Sequence, residues 1–345
     1  MIFQQRIVQG PLQIIMGIVG LTAFIIGVAG VCLNVVLAPV AARETPPVVV
    51  EIPPNVSTAQ IAKILADRDL VRNPVAFRLY TRLAGLDGAL KAGEYEVSPH
   101  LSTPEIVEFL VQGRVRLSAF NVPEGLNVDQ TIKVLVERGL GDQETFAGVL
   151  REIAATHLLG YPQPTGQYSL EGYLYPDTYL VAPGAGEGEI VRFMLSRFEE
   201  EVERLDLTTR ADEYGLTLHE AVTLASLIER EARVAEERRV ISGVIHNRLE
   251  RGMLLQVCAT VIYALGDCSR EVVLEADLEV DSPYNTYLHP GLPPGPIASP
   301  GRDSLLAAVD PEEHDYLYYV VKPDGSHAFS RTLAEHNANK RLYLP

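Results

Sequence analysis

The chain has 345 residues, with 45 acidic residues against 29 lysines and arginines, a formal charge of −16, 47% apolar residues, no tryptophan and three cysteines. An acidic surface of this kind repels nucleic acid and anionic lipid, so neither is an expected partner of the bulk of the chain. The length allows two or three modules with separate cores.

From Ile7 to Ala42 there is no charged residue in 36 positions, and the run is rich in Ile, Val, Leu, Gly and Ala. About 20 such residues suffice to cross a bilayer as a helix. The run predicts a short cytoplasmic N-terminus over 1–11, a single membrane-spanning helix over 12–38 and a linker over 39–47. A cleaved signal peptide is the competing reading, with "APVAARE" as its small-residue site, but its apolar core is usually only ~7–15 residues. Arg6 before the run and Arg43 after it lean towards an N-terminus inside. The rest of the chain then lies outside the cytoplasm, with 45 acidic residues against 28 basic ones.

Beyond the Pro-rich linker, "VVVEI" (48–52) reads as a strand, and Ile61, Ile64 and Leu65 recur at helical spacing. "NPVAFRLYTRLAGL" gives a second short helix and "LKAGEYEVS" a strand. "STPEIVEFLVQGRV" closes the unit as a helix with Ser102 or Thr103 as cap, Pro104 in the first turn and Gly113 as stop. At an offset of 70, "EIPPNVSTAQIAKILADRDL" lies over "NVPEGLNVDQTIKVLVERGL", pairing Pro53 with Pro123, Gln60 with Gln130 and Leu65 with Leu135. Both copies read as strand, turn and amphipathic helix, which suggests a duplication.

From Gln167 the texture changes to "QYSLEGYLYPDTYLV", dense in tyrosine and without helical period. A long helical region follows from about Glu187 to Gly252. "YNTYLHPGLPPGPIASPG" is loop-forming, "SLLAAVDP" is a short helix, and "YLYYVVKPDGSHAFS" is a hairpin with Asp324-Gly325 in its turn. The element pattern is that of an α+β protein.

Within the helical region, Thr217 with Glu220 three places on is a capping box, which starts a helix there. His219-Glu220 is not part of a zinc-protease HExxH, because the fifth position is Thr223. If the helix continues through "LASLIEREARVAEERR", Glu231 shares a face with Leu224, Leu227, Ile228, Val234 and Ala235. Glu229 then faces Arg233 one turn on as an ordinary solvated residue. A carboxyl on an apolar stripe feels desolvation, which raises its pKa as a general acid requires. The bland alternative is a Glu231 that bonds a buried backbone group or tyrosine hydroxyl and does no chemistry. "EGYLYPDTY" and "YNTY" offer aromatic faces with hydroxyl and amide groups suited to holding a sugar ring, or else tyrosines packed into a core. Cys32 falls in the apolar run. Cys258 and Cys268 are either a disulfide or two unpaired thiols.

Five stretches in order, "EGYLYPDTY" (171–179), "ASLIEREARVAEERRVISGVIHNRL" (225–249), "LQVCATVIYALG" (255–266), "YNTYLHPGLPPGPIASPG" (284–301) and "HAFSRTLAEHN" (327–337), resemble the MltG/YceG-like endolytic lytic transglycosylases of bacterial peptidoglycan. The resemblance implies an N-terminal anchor, a LysM-like strand-helix module over 48–118 and a mixed helical and strand catalytic domain over 119–345. It places the catalytic glutamate at Glu231. It implies cleavage of the β-1,4 bond between N-acetylmuramic acid and N-acetylglucosamine without water, leaving 1,6-anhydro ends, with no metal or cofactor. Glycan strands are the expected partner, with membrane peptidoglycan synthases as further ones. Tyr173, Tyr175, Tyr179, Gln256, Tyr284, Asn285, Thr286, Tyr287 and His327 are the expected cleft-lining residues.

One departure stands out: the family usually carries Asp-Pro where this chain has Cys258 and Ala259. We expect a Cys258–Cys268 disulfide to brace that segment. A hydrolase would need a second carboxylate, for which Glu171 and Asp281 are the candidates. A catalytically silent glycan-binding scaffold is the reading from another class.

Overall fold

The computed structural model describes residues 16, 30, 33–43, 45–113, 117–155, 170–182, 184–266, 270 and 272–344. Among them no helix is long and apolar enough to cross a membrane. Most of the expected span at 12–38 lies outside the described residues, as does Cys268. The chain divides into two compact units, residues 1–118 with 182–184, and 119–181 with 185–345.

In the first unit, β1 (Val48–Ile52) pairs antiparallel with β2 (Gly93–Val97), with Val48 opposite Val97 and Ile52 opposite Gly93. Between them run α1 (Thr58–Asp67) and α2 (Pro74–Leu83), and α3 (Thr103–Gln112) follows. Period-two alternation turns Val50, Ile52, Tyr95 and Val97 inward, where they meet Leu65, Phe77 and Leu110 from the helices. Each helix starts where the sequence supplies an acceptor: Ser57 and Gln60 close a capping box on α1, and Asn73 accepts from Val75 and Ala76 ahead of α2. Gly113 ends α3 with φ 68°, a left-handed backbone that costs glycine little.

The repeat recurs in the structure. β3 (Ser118–Asn121) and α4 (Val128–Glu137) stand 70 positions after β1 and α1, and the capping box is repeated by Asn127 and Gln130. α5 (Gln143–Ala155) and β4 (Thr178–Val181), which pairs with β3, complete a second strand-helix-helix-strand unit.

The long helical region is broken rather than continuous: α6 (Glu187–Leu205), α7 (Leu207–Glu213), α8 (Leu218–Glu231), a 3₁₀ turn at Ala235–Glu237 and α9 (Arg238–Glu250). α8 is the central helix of the second unit, with every residue from Leu218 to Ile228 buried except Glu220. Beyond it come α10 (Cys258–Ala264), α11 (Arg302–Ala308), the hairpin β5 (Tyr318–Val321) and β6 (His327–Ser330), and α12 (Leu333–Tyr343). The buried Arg248 guanidinium on α9 ties these parts together. It donates to the carbonyls of Leu317 at 2.6 Å and Leu255 at 2.7 Å.

Candidate active site

Glu231 is the last residue of α8, and Ala232 turns out of the helix with ψ 114°. Its apolar face is therefore made by the residues before it, Leu224, Leu227 and Ile228; Val234 and Ala235 lie beyond the helix end and do not extend the stripe as the sequence suggested. The same helix end corrects the reading of Glu229. Arg233 is not one helical turn above it, so the expected surface pair has no geometry to form. Glu229 instead turns inward with its side chain 6% exposed, accepts from the Gly301 amide at 2.9 Å and lies 3.5 Å from Arg238. Gly301 caps α11, so this carboxylate braces α8 against the positive end of another helix.

Around Glu231, the structure assembles groups that are far apart in sequence. The Tyr319 hydroxyl, from β5, donates to Glu231 Oε2 at 2.9 Å. The Ala259 amide, in the first turn of α10, also donates to this carboxyl. Burial pushes the Glu231 carboxyl above its ordinary value, and the bonds from Tyr319 and Ala259, with His327 and Arg230 nearby, oppose that shift without cancelling it. The carbonyl end of α8 further disfavours negative charge there.

His327 packs edge-on to Tyr319, ring centres 5.4 Å apart, and sits opposite Val321 in the hairpin. Glu237 holds it from behind: Oε2 is 2.7 Å from Nδ1, and Oε1 accepts from the His327 amide at 2.9 Å. Only 8% exposed, His327 supports Tyr319 and the hairpin from inside. Sequence reasoning missed Tyr319 and Glu237. The alternation of the hairpin strands places Tyr319 and His327 on one face, but nothing in the chain order ties that face to α8.

The loop 284–287 divides by depth. Asn285 and Thr286 are buried and stitch the loop together rather than lining a cleft. Asn285 donates to the carbonyls of Leu278 and Val280, each at 2.9 Å. Thr286 accepts at Oγ1 from the Val257 amide at 3.0 Å and at its carbonyl from the Gln256 amide at 3.1 Å. Tyr284 and Tyr287 on either side are half-buried. Gln256 is exposed and takes a left-handed backbone, φ 50°, which a non-glycine residue adopts only when its surroundings impose it.

Cys258 carries a free thiol, 3.1 Å from the Tyr287 hydroxyl, so the expected disulfide is not formed at this residue. That sulfur is engaged locally with Tyr287, and its environment includes the Glu231 charge.

Tyr173, Tyr175 and Tyr179, expected in the cleft, belong to the core. They are 2%, 5% and 7% exposed. Tyr173 bonds His219 Nδ1 at 2.6 Å, and Tyr179 stacks on Phe120 and donates to the Tyr175 carbonyl at 2.6 Å. The alternation of β4 turns Tyr179 inward beside Val181, the same rule that builds the first sheet. Glu171 is also buried. Its carboxyl accepts from the Val128 amide and the Tyr263 hydroxyl, and burial pushes it up to about 8. Asp281 is exposed.

One partly buried carboxyl with a raised pKa, backed by a tyrosine hydroxyl and a backbone amide and with the half-buried Tyr287 nearby, can give a proton to a leaving oxygen and take one back. Comparisons with known proteins point the same way. The sequence model of the YceG-like family matches residues 50–342. An endolytic murein transglycosylase of Bacillus subtilis (strain 168) is 34% identical over 320 residues, covering 89% of this chain and 88% of that protein. A protein of the same description from Streptococcus pneumoniae D39 is 29% identical over 331 residues, and the match spans 59% of its length. The crystal structure of a YceG-like protein from Listeria monocytogenes superposes with a TM-score of 0.60 at 33% identity, over 86% of this chain and all of that one.

Proposed function

The chain belongs to the YceG-like family, and from that premise we propose that it is an endolytic lytic transglycosylase. It cleaves the β-1,4 bond between N-acetylmuramic acid and N-acetylglucosamine within peptidoglycan strands and leaves 1,6-anhydro ends. The observation that carries this reading is the environment of Glu231: burial holds its carboxyl protonated beyond the ordinary range, and Tyr319 and the Ala259 amide are placed to receive the charge when the proton leaves.

Protonated Glu231 donates to the glycosidic oxygen as the bond to C1 breaks. The substrate's N-acetyl group stabilises the positive charge at C1. The new Glu231 carboxylate, held by Tyr319 and the Ala259 amide, then takes the proton from the C6 hydroxyl as that oxygen attacks C1. One carboxyl serves as acid and then base, whereas ordinary glycosidases divide the work between two. Tyr284, Tyr287 and Gln256 are the sugar-contacting side chains in this reading: all three stay accessible, and Tyr287 lies close enough to feel the Glu231 charge. Tyr319, Asn285, Thr286 and His327 hold the geometry.

The uncharged run at 7–42 supports a single-pass anchor with an extracytoplasmic catalytic domain. The enzyme would trim or terminate nascent strands beside membrane synthases. The β1-α1-α2-β2 arrangement of the first unit supports a LysM-like glycan-binding module. Glu231→Gln keeps the shape and removes the transferable proton. Release of anhydro-ended fragments from purified peptidoglycan should fall by about 10²–10⁴-fold. Undiminished release would overturn the assignment of the acid. Glycan binding with no anhydro product from the unmutated protein would instead favour a silent scaffold.

A further inference from the structure

We propose that the exposed face of α2 rests on the headgroup layer of an anionic bilayer, so that the first unit lies against the membrane surface beside its own anchor. This rests on the reading of the 7–42 run as an anchor, and lipid rather than protein covers the face.

The face is set by helical geometry. Val75, Leu79 and Leu83 follow one another at intervals of four, and Arg78 and Arg82 form the neighbouring row on the same side. All five are exposed, the three apolar ones by 68%, 48% and 73%. The opposite side of α2, with Ala76, Phe77 and Thr81, is buried in the core of the unit. A helix that already has a buried side and still presents a second apolar row is unusual in water. Arginine beside leucine is the composition of a helix lying in the plane of a membrane interface, with the stem in the apolar layer and the charge at the phosphates.

Charge singles out the same place. In a chain of formal charge −16, the stretch from Leu70 to Leu86 contains no acidic residue and three arginines, Arg72, Arg78 and Arg82. The nearest acids in sequence flank it at Asp69 and Asp87, and Asp87 is engaged by Thr58. The general repulsion of anionic lipid expected from the composition is therefore reversed on this face.

The helix also starts next to the end of the uncharged run. The Arg72 guanidinium clamps the chain as it leaves the uncharged run, donating to the Pro39 carbonyl at 2.6 and 2.9 Å and to that of Ala38 at 3.2 Å. The Ala41 amide is fixed in turn to the Pro99 carbonyl at 3.0 Å. Arg72 lies two residues before α2, so the end of the apolar run and the start of the helix are held together. The exposed face of α2 therefore begins beside the segment that leaves the run.

The absence of tryptophan from the chain gives a direct test. Leu79→Trp and, separately, Leu83→Trp place one reporter on the face, and Leu333→Trp, at a site 55% exposed in the second unit, serves as control. The full-length protein is reconstituted into vesicles of phosphatidylcholine with phosphatidylglycerol, and emission is compared with and without acyl-chain-brominated lipid. We expect about two-fold or greater quenching of the α2 reporters, little for the control, and loss of the effect when Arg78→Glu and Arg82→Glu are added. Equal quenching of the α2 reporters and the control overturns the proposal. So does a change seen only with native bacterial membranes and not with lipid vesicles, since the occupant is then a protein. Alkaline extraction of the unmutated protein tests the anchor separately. If it is extracted, the anchor reading fails, and quenching on vesicles added to the protein still decides the fate of the α2 face.

Discussion

Two glutamates two places apart on α8 end in opposite roles, and the reason is where the helix stops. Because Ala232 leaves the helix, Glu229 has no partner one turn on and is drawn to Arg238 and the Gly301 amide, while Glu231 is carried out at the helix end among Tyr319, Ala259 and Cys258. Tyr319 is the residue whose contribution separates chemistry from architecture. Its hydroxyl stabilises the carboxylate form, so Tyr319→Phe raises the Glu231 pKa further. A general acid is lost as pH rises through its folded pKa, so the alkaline limb of kcat/KM should move to higher pH in the variant. The loss of a charge-assisted hydrogen bond should also lower kcat about ten-fold or more. An unshifted limb would leave Tyr319 a packing residue.

At the scale of elements, close backbone approach fixes how the helices carry the site. Gly243 lets α9 lie against the segment at 312–314: a Cβ there would meet the Glu312 carbonyl oxygen at 2.4 Å and His314 Nε2 at 2.7 Å. Gly243→Ala should therefore destabilise the protein by ~1–3 kcal/mol, read as a lower urea midpoint with an unchanged slope. Helix starts were legible in the sequence because a cap is local: Thr217 with Glu220 closes the expected box, and the structure adds boxes of the same kind at Ser57 with Gln60 and Asn127 with Gln130. The breaks within 187–252 were not, since amphipathic spacing continues across Asp206 and Ala232, where the backbone turns away. The tyrosines of "EGYLYPDTY" were misplaced for a related reason. Aromatic residues with a polar tip suit a core and a sugar cleft equally, and only the pairing of β4 with β3 decides between them.

For the molecule as a whole, buried carboxyls tie stability to pH. Glu171 titrates near 4.5 when exposed and is pushed up to about 8 in the fold, so the folded state holds its proton after the unfolded state has lost it. Stability then falls as pH rises from about 5 to 8, by a few kcal/mol from this group. Glu171→Gln should flatten that slope in urea titrations at a series of pH values, and Glu231 leaves a residual slope of the same sign. An unchanged slope would show that Glu171 ionises freely in the fold. The central claim, that one carboxyl performs both proton transfers while the substrate's own C6 oxygen takes the place of water, is tested most directly by digesting peptidoglycan in ¹⁸O-labelled water and weighing the products. The account predicts fragments with anhydro ends that carry no ¹⁸O at the cleaved position. Reducing ends labelled with ¹⁸O would contradict it and make the enzyme a hydrolase.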